Sequence, residues 1–338
     1  MKRPDFGSEA PRPKARAGIF LTFLLLTVLN IALFYARQGE NHVSGKTPQY
    51  HFYMILQNSV DPFWQDVRQG ALDAAKDSNV AIEFRAPQFN NNEEERKYID
   101  IATLSRVDGI ITPAVDNPDF IALINNATAQ GIPVVTIEDD AKDSRRQAFV
   151  GSNSFMLGAK AGKLLNDAVH GKARVAVIMS SELEKDASTQ NMIMNGFLSA
   201  FKAAPGIEVA KVYTPKMEIL STEEIAQAVL RQPDINAVFC LDAINTAGVA
   251  QSIVDFNKVG KITVIGYGIT PEITSYIEKG VIYGSVVGNP YKIGYDSVKS
   301  MLEIKQHNNT SAVTDTGVQS VDKGNIDLYA KQNSGSKP

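Results

Sequence analysis

From residue 50 onward the chain alternates short apolar runs with longer amphipathic ones, and this alternation narrows the folds open to it. Nine runs read as strands: YHFYMIL (50–56), VAIEFRA (80–86), DGIITPA (108–114), IPVVTIE (132–138), RVAVIMS (174–180), IEVAKVY (207–213), NAVFCLD (236–242), KITVIGY (261–267) and YGSVVGN (283–289). Several are apolar throughout, as expected when helices cover both faces of a parallel sheet. The runs between them read as helices. In FWQDVRQGALDAAKDS (63–78), Val67, Ala71, Leu72 and Ala75 recur at helical spacing and polar residues fill the other face. Pro62 suits the first helical position, where its missing N–H costs nothing. Nine or more βα units exceed one ordinary doubly wound sheet. The expectation is an α/β protein with two doubly wound, mainly parallel sheets in two lobes, with a closed eight-stranded barrel as the alternative.

The N-terminus follows a different rule. Residues 18–36, GIFLTFLLLTVLNIALFYA, carry no charge over 19 positions. As a helix they would span about 28 Å, close to the hydrocarbon thickness of a bilayer. Lys2, Arg3, Arg12, Lys14 and Arg16 precede the run against Asp5 and Glu9. This positive excess predicts a cytoplasmic segment 1–17, a transmembrane signal anchor 18–36 and an extracytoplasmic body, giving a single-pass protein of the cell membrane. Cleavage is the alternative reading. A cut after Ala36 would place Phe34 three residues before the site, and a cut after Ala32 would place Asn30 there; neither is small. No cysteine directly follows the run, which excludes a lipoprotein anchor. Residues 37–48 read as a polar tether and 331–338 as a frayed tail.

Composition excludes several classes. The formal net charge is −3, with no basic run that would suit nucleic acid. Cys240 is the single cysteine of the chain, so no intramolecular disulfide forms, and its place in AVFCLD marks a small buried hydrophobe. The four histidines lack metal-ligand spacing, and no GxSxG elbow occurs. GAKAGKL (158–164) has three residues between its glycines instead of four, and Leu164 where a phosphate loop needs Ser or Thr. It reads as a helix whose small residues pack on a sheet. GYG (266–268) lacks the third glycine of a dinucleotide fingerprint, and NEEERK (92–97) reads as the solvated start of a helix. No catalytic residue, cofactor or metal is therefore expected.

Doubly wound sheets bind ligands beyond the carboxyl ends of their strands. The residues there are Gln57 to Trp64, Ala114 to Asn117, Glu138 to Asp140, Ser180 to Glu182, Asp242 to Asn245, Gly268 to Thr270 and Gly288 to Asn289. They are mostly polar, with the aromatic pair Phe63 and Trp64 among them, which suits a small polar ligand.

DPFWQDVRQGALDAAKD, VDGIITPAVD, GIPVVTIEDD, VGSNSFMLGAKAGKLL, NGFLSAF, PDINAVFCLDAINTAGVAQ, VIGYG, GSVVGNPYKIGYDSV and the late NID occur in this order. Together they resemble the ribose-type periplasmic sugar-binding proteins, whose two-lobed type I fold is shared with the ligand domains of lac-repressor-type regulators. A membrane segment stands where those regulators carry a helix-turn-helix. The resemblance implies a first lobe of 49–151 plus 289–316 and a second of 152–288 plus 317–330. It implies crossings near Gly151 to Asn153, Gly288 to Pro290 and Thr316 to Gly317, with a ligand held between the lobes.

Carried over by residue, the family's sugar-stacking aromatic pair matches Phe63 and Trp64, whose bland reading is closure of the lobe core. Asp61 matches a hydroxyl-binding position and reads equally as a helix cap. Gln57 matches a first-strand polar position. Glu138 and Asp139 stand where the family has Asp-Arg, Asn191 where it has Arg, and Asp242 where it has Asn. Gly268 and Gly288 replace an Asp and a Gln. Two guanidiniums are lost, each a forked donor to sugar hydroxyls that other side chains replace poorly. What remains is acidic. The implied ligand is a neutral or amino sugar or a polyol, then another polar solute, then none. The implied partner is a membrane sensor histidine kinase or an ABC transporter permease, and alternative roles are a ligand-free partner of a membrane sensor or an enzyme on the same fold.

Overall fold

The computed structural model describes Thr27 and residues 47–180, 187–202, 205–215 and 218–329. The expected anchor 18–36, apart from Thr27, almost all of the tether and the tail 331–338 lie outside them. Among the described residues, no helix is long and apolar enough to cross a membrane. The described residues from 49 onward form one compact unit.

The body contains β1 (His51–Ile55), α1 (Pro62–Ser78), β2 (Ala81–Arg85), α2 (Asn92–Leu104), β3 (Gly109–Thr112), α3 (Pro118–Ala129), β4 (Val134–Ile137) and β5 (Ala148–Gly151). It continues with α4 (Ser154–Val169), β6 (Lys172–Ile178), α5 (Ala187–Ser199), β7 (Gly206–Tyr213), α6 (Glu218–Leu230), β8 (Ala237–Cys240) and α7 (Ala243–Asp255). It ends with β9 (Thr263–Tyr267), α8 (Pro271–Glu278), β10 (Gly284–Val287), α9 (Pro290–His307), β11 (Val313–Asp315) and β12 (Gln319–Asp322).

The strands form two six-stranded sheets, ordered β11-β5-β4-β3-β1-β2 and β12-β10-β9-β8-β6-β7. This rules out the closed barrel. Every pairing is parallel except β10 with β12. The inner strands β3, β4, β8 and β10 are buried at every position, because helices cover both their faces. The edge strands β2 and β7 are partly exposed, as edges must be. All nine strand runs read from the sequence form strands. The three that were not read, β5, β11 and β12, span four residues or fewer, and β11 and β12 are mostly polar.

The chain passes between the sheets after β5, after β10 and between β11 and β12. As a result α4 covers the second sheet and α9 the first: Leu157, Ala161 and Leu165 pack with Val175 and Phe239, whereas Ile293, Val298 and Met301 pack with Phe52, Met54 and Val135. Each sheet carries a close helix crossing built on two glycines. A Cβ on Gly70 of α1 would lie 2.0 Å from the Tyr291 carbonyl oxygen, and one on Gly294 of α9 would lie 1.8 Å from that of Val67. A Cβ on Gly158 of α4 would lie 1.8 Å from the Ile193 carbonyl oxygen, and one on Gly196 of α5 would lie 2.0 Å from that of Phe155. The glycines of GAKAGKL therefore admit a neighbouring helix, while Ala161 packs on the sheet as the sequence suggested.

Candidate ligand-binding site

The two sheets meet at their carboxyl ends. The residue after β4 is Glu138 and the residue that ends β9 is Tyr267. The Tyr267 hydroxyl donates to Glu138 Oε1 at 3.3 Å, and the Ser152 amide, at the first crossing, donates to Glu138 Oε2 at 3.4 Å. Both bonds are long, so each contributes modestly. Their placement matters more than their strength, since one carboxyl joins the first sheet, a crossing and the second sheet. Burial pushes the Glu138 carboxyl up to about 7, against the opposing pull of those two donors. Burial also pushes the Tyr267 phenol up, and the negative charges of Glu138, Asp139 and Asp61 add to that shift. Glu138 thus touches the tyrosine hydroxyl, and the charges of Asp139 and Asp61 reach it.

Asp61 acts as the cap. Its Oδ1 accepts the Phe63 amide at 2.9 Å and starts α1, with Pro62 at the first helical position. Such a cap is worth about 1 kcal/mol. Asn58 braces the same turn: its Oδ1 accepts the amides of Val60 and Asp61 at 3.1 and 2.8 Å. Burial raises the Asp61 carboxyl above its usual range. Capping uses one face of one oxygen, so the ligand role stays open to it.

The aromatic pair divides. Phe63 and Trp64 touch edge to face, with centroids 5.2 Å apart and planes at 80°. Trp64 is 2% exposed and belongs to the first lobe's core beside Val67 and Leu56. Phe63 is half-buried. In this conformation the ring open to a ligand is Phe63, and Trp64 supports it from behind. Gln57, also half-buried, follows β1 directly.

Asp242 caps α7, its Oδ1 accepting the Asn245 amide at 2.6 Å while Asn245 Nδ2 donates to its Oδ2. Asn245 in turn donates to the Met179 carbonyl at 3.2 Å, tying the ends of β6 and β8 together. Asn191 is exposed on α5, and among the described residues no hydrogen bond joins it to the other candidates. The structure therefore places Asp61, Phe63, Trp64, Glu138 and Asp139 on the first lobe, holds Asp242 in a network of the second, and leaves Asn191 exposed on α5.

Four residues of the site escaped sequence reasoning. Tyr267 sits in GYG, a motif that reads as a turn. Ser152 lies at a crossing. Arg146 forks onto Asp140, with Nη2 2.6 Å from Oδ2 and Nε on Oδ1, so the third acid of EDD is neutralised within the lobe. The pairing RR six residues after DD was the available signal. Glu95 departs from expectation most. NEEERK suggested a solvated helix start, and Glu93 fits, yet Glu95 is 1% exposed. Burial first and the Asp139 charge second push its carboxyl up to about 8.

Two parallel α/β lobes, crossed three times and joined across their carboxyl ends, define a solute-binding protein architecture. Residues 52–309 match the periplasmic binding protein domain family, and the chain belongs to that family in its ribose-like branch. It is similar to the D-allose-binding periplasmic protein of Escherichia coli strain K12, at 24% identity over 75% of this chain and 84% of that protein. Among solved structures it resembles GanP, a glucose-galactose binding protein from Geobacillus stearothermophilus, at 34% identity, covering 81% of this chain and 98% of that one with a TM-score of 0.77. It also resembles the XylFII-LytSN complex at 28% identity, covering 81% of this chain and 98% of that one with a TM-score of 0.74.

Proposed function

We propose that this protein is an extracytoplasmic receptor that binds a sugar or sugar derivative between its lobes and reports closure to a membrane partner. The observation that carries the reading is the Glu138–Tyr267 contact. It places the carboxyl ends of β4 and β9 against each other, where a ligand would bridge the same two turns. The names of the relatives support a sugar as the ligand class. Phe63 would cover the apolar face of the ring, with Trp64 behind it; Gln57, Asp61, Glu138 and Asp139 would accept hydroxyl hydrogens from the first lobe and Asp242 from the second. Asn191, exposed on α5, would add an amide from the second lobe. Ligand stabilises the closed form because it touches both lobes there and one lobe otherwise.

The apolar run 18–36 would tether the body to the membrane, with the N-terminus cytoplasmic, and place it beside its partner. The partner is a sensor histidine kinase or an ABC permease; the solved complex between XylFII and LytSN supports a role in assembly with another protein. The names of the relatives, which are binding proteins, support a binding role over an enzymatic one. A second reading, a ligand-free partner, is favoured by one fact: Tyr267 already occupies Glu138.

Thermal unfolding of the full-length protein in detergent, against a panel of hexoses, pentoses and amino sugars, tests the proposal. A ligand at a hundred times its Kd adds about 2.7 kcal/mol of stability and raises the melting temperature. No shift with any sugar would favour the ligand-free reading.

A further inference from the structure

We infer that the hydroxyls of Ser152 and Thr316, buried at the crossings between the lobes, weigh against the closed conformation and set the ligand-free protein open. The inference goes beyond the receptor reading and rests on the hinge alone. Two of the three crossings have the same build. β5 ends at Gly151 and Asn153 caps α4, accepting the Met156 amide at 3.0 Å. β10 ends at Val287 and Asn289 caps α9, accepting the Lys292 amide at 3.0 Å. One residue lies between strand and cap in each, Ser152 in the first and Gly288 in the second. Strand and cap are both fixed by hydrogen bonds. Rotation of one lobe against the other therefore falls on these two residues and on Thr316 and Gly317 of the third crossing.

The first two hinge residues touch. A Cβ on Gly288 would lie 2.2 Å from Ser152 Oγ, so that hydroxyl is aimed at bare backbone. Ser152 is 5% exposed and Thr316 7%, and among the described residues neither side-chain oxygen has a hydrogen-bond partner. Their amides are engaged, Ser152 with Glu138 Oε2 at 3.4 Å and Thr316 with the Gly151 carbonyl at 3.0 Å. This is also the conformation in which Tyr267 of the second lobe reaches Glu138 of the first, so the hydroxyls are buried while the lobes touch. A buried hydroxyl without a partner gives up its bonds to water and gains none. Opening parts the crossings and returns both groups to water. The penalty therefore falls on the closed form, and it lowers apparent ligand affinity by the fraction of molecules it keeps open.

Spin labels placed one on each lobe of the full-length protein in detergent test this; the chain's own Cys240 is buried and takes no label. Pulsed distance measurement without ligand should find the wild type mainly open. Ser152→Ala and Thr316→Val each remove a hydroxyl with little change of shape. Each should raise the ratio of closed to open molecules at least about fivefold. Gly288→Ala should shift the ratio the other way, because its methyl group meets Ser152 Oγ when the crossings are together. Adding Ser152→Ala to it should recover part of the closed population. If Gly288→Ala does not fold, the two hydroxyl variants decide the matter by themselves. A wild type already closed, or distances unchanged in both hydroxyl variants, would overturn the inference. So would a rise in melting temperature with no change in distance, which would mark the hydroxyls as a cost to the fold and not to closure. None of these readouts uses a sugar, so failure to bind one would fall on the receptor reading alone.

Discussion

After the fourth helix-covered strand of each sheet the chain makes the same left-handed turn, with different residues. β4 is followed by Glu138 at φ +60° and β9 by Gly268 at φ +78°. The backbone bonds match too: the Glu138 amide donates to Val150 of β5 at 3.1 Å, and the Gly268 amide donates to Val286 of β10 at 2.8 Å. Glycine takes this conformation freely, whereas a residue with a Cβ is strained there by roughly 1–2 kcal/mol. The second lobe meets the geometric demand with the residue that fits it. The first lobe accepts strain in order to hold a carboxyl at the lobe junction. Strain retained where a relaxed alternative exists one lobe away points to use of the side chain.

The helix crossings, by contrast, are alike in the two lobes, and this likeness is open to the harshest test. Gly294→Ala and Gly158→Ala should each destabilise the body by about 3 kcal/mol, because backbone would have to move in both cases. Denaturant unfolding would measure it. A cost near zero in one lobe only would show that the lobes are not built alike.

The next effect is on pH. Glu95 and Glu138 titrate at about 8 and about 7 in the folded chain, against an ordinary 4.5. Between about pH 4.5 and 8 the folded chain therefore holds protons that the unfolded chain has released, so rising pH favours unfolding. Without ligand, the melting temperature should fall by several degrees from pH 5 to pH 8. Glu95→Gln should flatten that slope and raise the melting temperature at pH 8. A slope unchanged by the substitution would remove Glu95 from the account.

Glu138→Gly would give the first lobe the second lobe's turn. It should stabilise the ligand-free body by about 1 kcal/mol while weakening ligand binding at least tenfold. A gain in both would mean that the strain serves no ligand. The smallest effect is expected of Tyr267→Phe, about 0.5–1 kcal/mol for one long hydrogen bond, read by thermal unfolding. If the ligand displaces this bond, the same change should tighten binding slightly.

The strand and helix order of the body was legible because long apolar runs and helical periodicity report burial directly. The edge strands β11 and β12 were not, since a strand with one exposed side and four or fewer residues leaves no apolar run. In the site, the start of α1 at Asp61 and Pro62 was readable from capping chemistry, and the burial of Cys240 from its apolar neighbours. The division between Phe63 and Trp64 was not readable, because adjacent residues on a helix point in different directions and only the core decides which is enclosed.

The sequence by itself determined the α/β alternation, the two-lobed family architecture and the acidic character of the residues after the strands, because these are properties of local runs and of residue type. The tertiary structure alone decided which acid does what. Asp140 is neutralised because Arg146 folds back onto it, and Glu95 is buried because α2 turns that face inward. Glu138 adopts a glycine's conformation because β4 and β5 fix the turn around it. Each outcome depends on how neighbouring segments pack in three dimensions, and only the RR six residues after DD left a trace in the sequence.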